Sequence, residues 1–269
     1  MPELIGRASR EFLSSANEAL AELEEATGKP VLILEVPDLS VLATIRQAGP
    51  EDASHLLRIR GGENQLADYL IVFQCQMALR DDKGLREVLR SNSSVRDRVI
   101  NACEQLHHQL PVAKARELGS FLYDGLILQL RSMGPGLLVD RWIRQHCPDL
   151  HEAQEQGVSS EITSNLVALQ PSTRANYPST VYEASIAMNA AYAVFGGDLV
   201  GKPYMAVPFL SVGHGPLARR LIALALGDPE WNGIGKRQVD ASPTDRTIID
   251  SWAQELGISG WYDWSELTP

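Results

Sequence analysis

Residues 65–80 read QLADYLIVFQCQMALR, with apolar side chains at Leu66, Tyr69, Leu70, Phe73, Met77 and Leu79. A spacing near three and four gathers such residues on one broad helical face, so the stretch reads as a core helix. Just before it, Gly61 and Gly62 make a turn. Glu63 and Asn64 then supply polar groups and negative charge where the first helical amides lack partners.

Working outward from this helix, residues 3–27 carry Ile5, Ala8, Phe12, Ala16, Leu20 and Leu23 among charged residues, the pattern of an amphipathic helix stopped by Gly28-Lys29-Pro30. Three short β-branched or alternating runs follow: VLILEV at 31–36, LATIRQ at 42–47 and HLLRIR at 55–60. In the last, Leu57 and Ile59 alternate with Arg58 and Arg60, which predicts one exposed face. The expected order is helix, three strands, helix.

That order and the flanks Tyr69, Leu70, Ile71, Cys75, Ala78, Leu79 and Arg80 resemble the active-site helix of the zincin metallopeptidases, in particular the ImmA/IrrE group and its bacterial relatives. There a helix of the form YLIxHExGHALR follows a short sheet. The resemblance places Phe73 and Met77 at the two histidine positions and Gln74 at the glutamate. Two imidazoles four residues apart share one zinc, and the glutamate takes a proton from the metal-bound water. Phenylalanine has no lone pair to offer, a thioether is soft, and a neutral amide is no general base. Two further segments, 132–154 (SMGPGLLVDRWIRQHCPDLHEAQ) and 245–264 (DRTIIDSWAQELGISGWYDW), are similar to the same relatives.

The resemblance implies a catalytically inactive metallopeptidase-like protein that binds another protein or a larger protein complex as an accessory or regulatory subunit. It implies neither metal nor cofactor, with Phe73, Gln74 and Met77 as vestigial motif positions. Zincins of this group take a third, acidic ligand from a later helix, for which Glu117, Asp124 and Asp140 are the candidates. Asp124 stands out, because Phe121, Leu122, Leu126 and Leu128 surround it in sequence. Two alternatives stand beside this reading. One is a metal-dependent hydrolase with another ligand set, for instance Cys75 with Asp124. The other is a purely structural helical scaffold.

After Arg80 the pattern is helical. Helices are expected at 85–90, 95–108, 112–132 and 137–147, with a break at Met133-Gly134-Pro135-Gly136 and a stop before Pro148. Further helices are expected at 159–169, 179–195, 216–226 and 243–256, the last capped by Ser242. A loop at 196–216 holds PYMAVPFLSVG, read as a short extended segment. The fold class is therefore α+β and mostly helical, with a small three-stranded zincin-like sheet backing a motif helix and a helical lobe behind it. The boundary is set at the glycine-rich turn, giving lobes 1–134 and 135–269 of one continuous domain.

Other constellations carry less. His107 and His108 are adjacent and point about 100° apart on a helix, and His146, Cys147 and His151 straddle Pro148 without a helical ligand spacing. Ser211 and His214 lack the G-x-S-x-G elbow. Trp261 and Trp264 join Trp252 and Tyr262 near the C-terminus, either as core anchors or as a binding patch.

The 269 residues are 44% hydrophobic, enough for a full core, and carry a net charge of −10. An acidic balance argues against nucleic acid as the main ligand. Cys75, Cys103 and Cys147 are too few and scattered for a disulfide framework, which fits a reducing cytoplasm. The N-terminal MPELIGRASREF lacks an apolar signal core, and no run approaches the roughly 20 apolar residues of a membrane span.

Overall fold

The computed structural model describes residues 3–4, 11–62, 64–82, 87–228 and 243–266. The fold is α+β and mostly helical, and the chain divides into two units.

The first unit comprises Met1–Leu85 and Val139–Gly157. Its elements are β1 (Glu3–Leu4), α1 (Ser14–Thr27), β2 (Val31–Val36), β3 (Ala43–Arg46), β4 (His55–Arg60) and α2 (Ala67–Asp82), joined by the end of α4 (Val112–His146) and the start of α5 (His151–Asn165). The sheet runs β1-β2-β4-β3. β2 and β4 are parallel, with Val31 opposite His55 and Val36 opposite Arg60, while β3 lies antiparallel on the far side of β4. Val31, Ile33, Leu57 and Ile59 turn inward and Arg58 outward, so the alternation expected of HLLRIR is present. The inward face meets Leu20 and Leu23 of α1 and Ile71, Cys75 and Leu79 of α2, with Val139, Ile143, Cys147 and Leu150 completing the core.

The amphipathic pattern at 3–27 overreaches. Glu3–Leu4 pair with β2, and the helix begins only at Ser14. Polar side chains distant in sequence fix that start: the Leu13 amide donates to Asp68 Oδ1 at 3.0 Å, and the Ser15 amide donates to Asp149 Oδ2 at 3.2 Å. Each satisfies an amide that a helix terminus leaves open. At the other end Gly28, at φ +68°, returns its N–H to the Glu24 carbonyl.

The second unit comprises Arg86–Leu138 and Val158–Pro269. It contains β5 (Glu87–Ser91), α3 (Ser93–Leu106), the first part of α4, the end of α5, α6 (Pro171–Asn176), α7 (Ser179–Leu199), α8 (Val207–Ser211), α9 (Gly215–Leu226), α10 (Asp245–Glu255) and β6 (Tyr262–Glu266). α7 is the buried centre, with Ile186, Ala187, Met188, Ala190, Ala191 and Phe195 inaccessible. Its small residues let α9 and the turn at Pro203–Ala206 come close: a Cβ at Gly197 would lie 3.0 Å from the Lys202 carbonyl oxygen.

Four expectations fail here for identifiable reasons. Residues 87–91 form a strand rather than a helix, because β5 pairs antiparallel with β6, Leu89 opposite Trp264. The break at 133–136 does not occur, and α4 runs through Pro135. An interior proline gives up one helical hydrogen bond, but buried Leu130, Leu137 and Leu138 hold both sides of it. A Cβ at Gly134 would lie 2.6 Å from Ile248 Cγ2, so the glycine serves a close helix approach. The two units accordingly interleave along the chain instead of dividing at 134/135. PYMAVPFLSVG forms helical turns, with Pro203 and Pro208 in first-turn positions where a missing N–H costs nothing. Finally, α10 is capped by Thr244, whose hydroxyl accepts from the Thr247 amide. Ser242 and Glu63 lie outside the described residues.

Candidate functional site

α2 forms where its apolar periodicity predicts, between α1 and the sheet. Phe73 and Met77, one turn apart, are both half-buried and pack against the core of the first unit. The Phe73 ring lies 6.1 Å from that of Tyr69, tilted by 58°. Gln74 reaches the sheet: its Nε2 donates to the Ala43 carbonyl of β3 at 3.2 Å. A second amide works in the opposite sense, since Gln47 Nε2 donates to the Ala78 carbonyl of α2, also at 3.2 Å. The pair clasps the outer strand to the helix along the motif positions.

Of the three carboxylates considered as a further ligand, only Asp140 meets α2. Its Oδ1 accepts from the Tyr69 hydroxyl at 2.9 Å, one turn before Phe73, and from Gln154 Nε2 at 3.3 Å; the same Nε2 donates to the Asp140 main-chain carbonyl at 2.7 Å. All three side chains are buried. Gly157 closes the space behind: a Cβ there would lie 2.7 Å from Tyr69 Cε1. The arrangement orients Tyr69 and anchors α2.

The remaining predicted residues sit apart from these positions. Cys75 is buried on α2. Glu117 is exposed and pairs with Lys114 at 2.9 Å. Asp124 belongs to the second unit, where both its oxygens take the Arg96 guanidinium, at 2.8 and 3.1 Å, and the pairing holds Arg96 above its ordinary value. Half of the Asp124 side chain stays in solvent, so the pair contributes little to stability.

The C-terminal aromatics are used within the second unit. Trp261 stacks on Tyr123 with centroids 5.8 Å apart, and the Tyr123 hydroxyl donates to the Trp261 carbonyl. Asp250 Oδ1 accepts from the Tyr262 hydroxyl at 2.7 Å and from Trp264 Nε1 at 2.9 Å, and Arg246 lies over the Trp264 ring. Burial, with the Asp250 carboxylate beside it, pushes the Tyr262 hydroxyl far above the usual tyrosine range.

His107 Nε2 bonds to the Asn176 carbonyl, His146 stacks on Trp142, and His151 bonds to the Arg144 carbonyl. Among the described residues no three His, Cys, Asp or Glu side chains are grouped so as to hold a metal ion. Ser211 donates to the Pro208 carbonyl at the end of α8. Among the described residues no helix is long and apolar enough to cross a membrane.

Sequence reasoning passed over one polar cluster entirely. On α7, Ser185 and Asn189 join Gln129 of α4 beside a cavity of about 210 Å³. The signal was there in outline, since Asn189 is the one amide inside the mostly apolar run SIAMNAAYAVF. No family model, no curated protein and no solved structure matches the chain.

Proposed function

We propose that the first unit is a metallopeptidase-like module that binds protein rather than cleaving it, and that the chain acts as an interaction or regulatory subunit of a larger cytoplasmic assembly. The observation that carries this reading is the chemistry of three neighbouring positions on α2. Phe73 offers a metal no electron pair, and the soft Met77 sulfur is poorly matched to zinc. Gln74 is a neutral amide whose N–H is committed to the Ala43 carbonyl, where a peptidase needs a proton acceptor. Both apolar side chains add to the core of the unit, so the substitutions favour stability.

The test is to restore the motif with Phe73→His, Gln74→Glu and Met77→His together. Zinc ligands must converge to about 2.0–2.2 Å and need second-shell hydrogen bonds to orient them. The expected outcome is a lower melting temperature, weak zinc binding by titration and no peptide cleavage. Efficient cleavage at unchanged stability would overturn the proposal, as would stoichiometric zinc or iron in the purified natural protein together with chelator-sensitive cleavage.

A further inference from the structure

The cavity beside α7 is bordered by Tyr177, Tyr182, Ser185, Ile186 and Asn189, with Val167 and Ala168 across from them and no charged side chain in the lining. One polar group there has a forced orientation. Gln129 Nε2 lies 3.3 Å from the Ser185 main-chain carbonyl, which can only accept, so that nitrogen is correctly the donor; it also lies 2.7 Å from Asn189 Oδ1. The Ser185 hydroxyl closes the ring by donating to Gln129 Oε1 at 2.9 Å. Asn189 therefore spends its oxygen on Gln129 and turns its Nδ2 donor to the cavity.

Asn189 is 6% and Tyr182 8% exposed, and among the described residues neither the Asn189 Nδ2 nor the hydroxyls of Tyr182 and Tyr177 meet a protein hydrogen-bond partner; none of the three atoms is fully buried, so they are open to whatever enters the cavity. Donors that line a cavity and have no protein partner are free to give their hydrogens to an acceptor on another molecule. Two charges border lining residues, Arg174 over the Tyr182 ring and Glu161 accepting from Asn165, and they are of opposite sign. At roughly 30 Å³ for each water, the space holds about seven waters or one small organic molecule.

We infer that this cavity is a binding site for a small neutral carbonyl compound of the carboxamide type. Its oxygen accepts from Asn189 Nδ2 and the Tyr182 hydroxyl, and its short aliphatic body lies against Ile186, Val167 and Ala168. A charged ligand would give up part of its hydration with no charged side chain in the lining to pair with it. The inference concerns the second unit alone and stands whether or not the first unit binds protein.

The test uses three probes of matched size, butyramide, butyrate and butylamine, titrated against the whole protein by saturation-transfer NMR. Butyramide is expected to bind in the millimolar range and the two ions at least tenfold more weakly. Tyr182→Phe, which keeps the ring and loses one donor, is expected to weaken butyramide about two- to tenfold. Ala168→Trp, which fills the cavity, is expected to abolish binding. No butyramide binding, equal binding of the three probes, or binding unchanged in Tyr182→Phe would each overturn the inference, and these measurements do not depend on Ala168→Trp folding.

Discussion

Two small polar networks, one in each unit, are built from nearly the same parts and do opposite things. In the first unit the Tyr69 hydroxyl and the Gln154 amide converge on Asp140, in a space so filled that Gly157 has no room for a methyl group. Only an acceptor, Gln154 Oε1, is left without a partner. In the second unit Ser185, Gln129 and Asn189 form a chain that ends on a donor at the edge of a cavity. With no room beside it for another molecule, the first network serves to hold structure. An open one carries hydrogen-bonding capacity that a ligand can use.

The contrast breaks most readily at Asp140. Asp140→Ala takes the carboxylate from the buried Tyr69 hydroxyl, while Gln154 Nε2 keeps the main-chain carbonyl of residue 140, and at about 1–3 kcal/mol for an unsatisfied buried group the expected loss is roughly 2–3 kcal/mol in urea unfolding. A loss under about 1 kcal/mol would mean that the network is not what anchors α2.

Gly157→Ala tests the same place by overfilling it. The new methyl would meet a ring that Asp140 holds in position, and overpacking of this kind costs about 1–3 kcal/mol. Relief of that loss in the Gly157→Ala, Tyr69→Leu double variant would locate the strain at the ring.

Paired hydroxyl deletions sharpen the comparison directly. Tyr69→Phe removes a buried bond to a carboxylate and is expected to lose about 1.5–3 kcal/mol. Tyr182→Phe removes a hydroxyl with no protein partner and should stay within about 0.5 kcal/mol of the natural protein. Equal losses would erase the distinction between the closed and open networks.

The smallest effect expected is a pH dependence. Burial pushes the Asp198 carboxyl up, against the opposing pull of Arg219. Between its ordinary value of 3.8 and the raised folded value, the native state keeps a proton that the unfolded chain has released. Stability therefore falls as pH rises through that window and stays lower above it. Asp198→Asn is expected to flatten this part of the stability curve and to gain on the natural protein at about pH 7 relative to about pH 4. An unchanged slope would show that Asp198 does not set it.

What was legible in the sequence was whatever depends on near neighbours. The periodicity of α2, the buried strands β2 and β4, the end of α4 before Pro148 and the long apolar α7 all follow from local spacing. So did the identities of Phe73, Gln74 and Met77, on which the proposed loss of catalysis rests. The tertiary structure alone decided the rest. β5 is a strand because Leu89 pairs with Trp264, a partner that no local window contains. α4 passes through Pro135 because packing on both sides outweighs one lost hydrogen bond. Asp140 joins Tyr69, 71 residues away, and Gln129 joins Asn189, 60 residues away. Composition could name those amides and carboxylates. Whether each finds a partner or faces a cavity depends on where the chain returns in space, because a buried polar group takes its energy from what surrounds it.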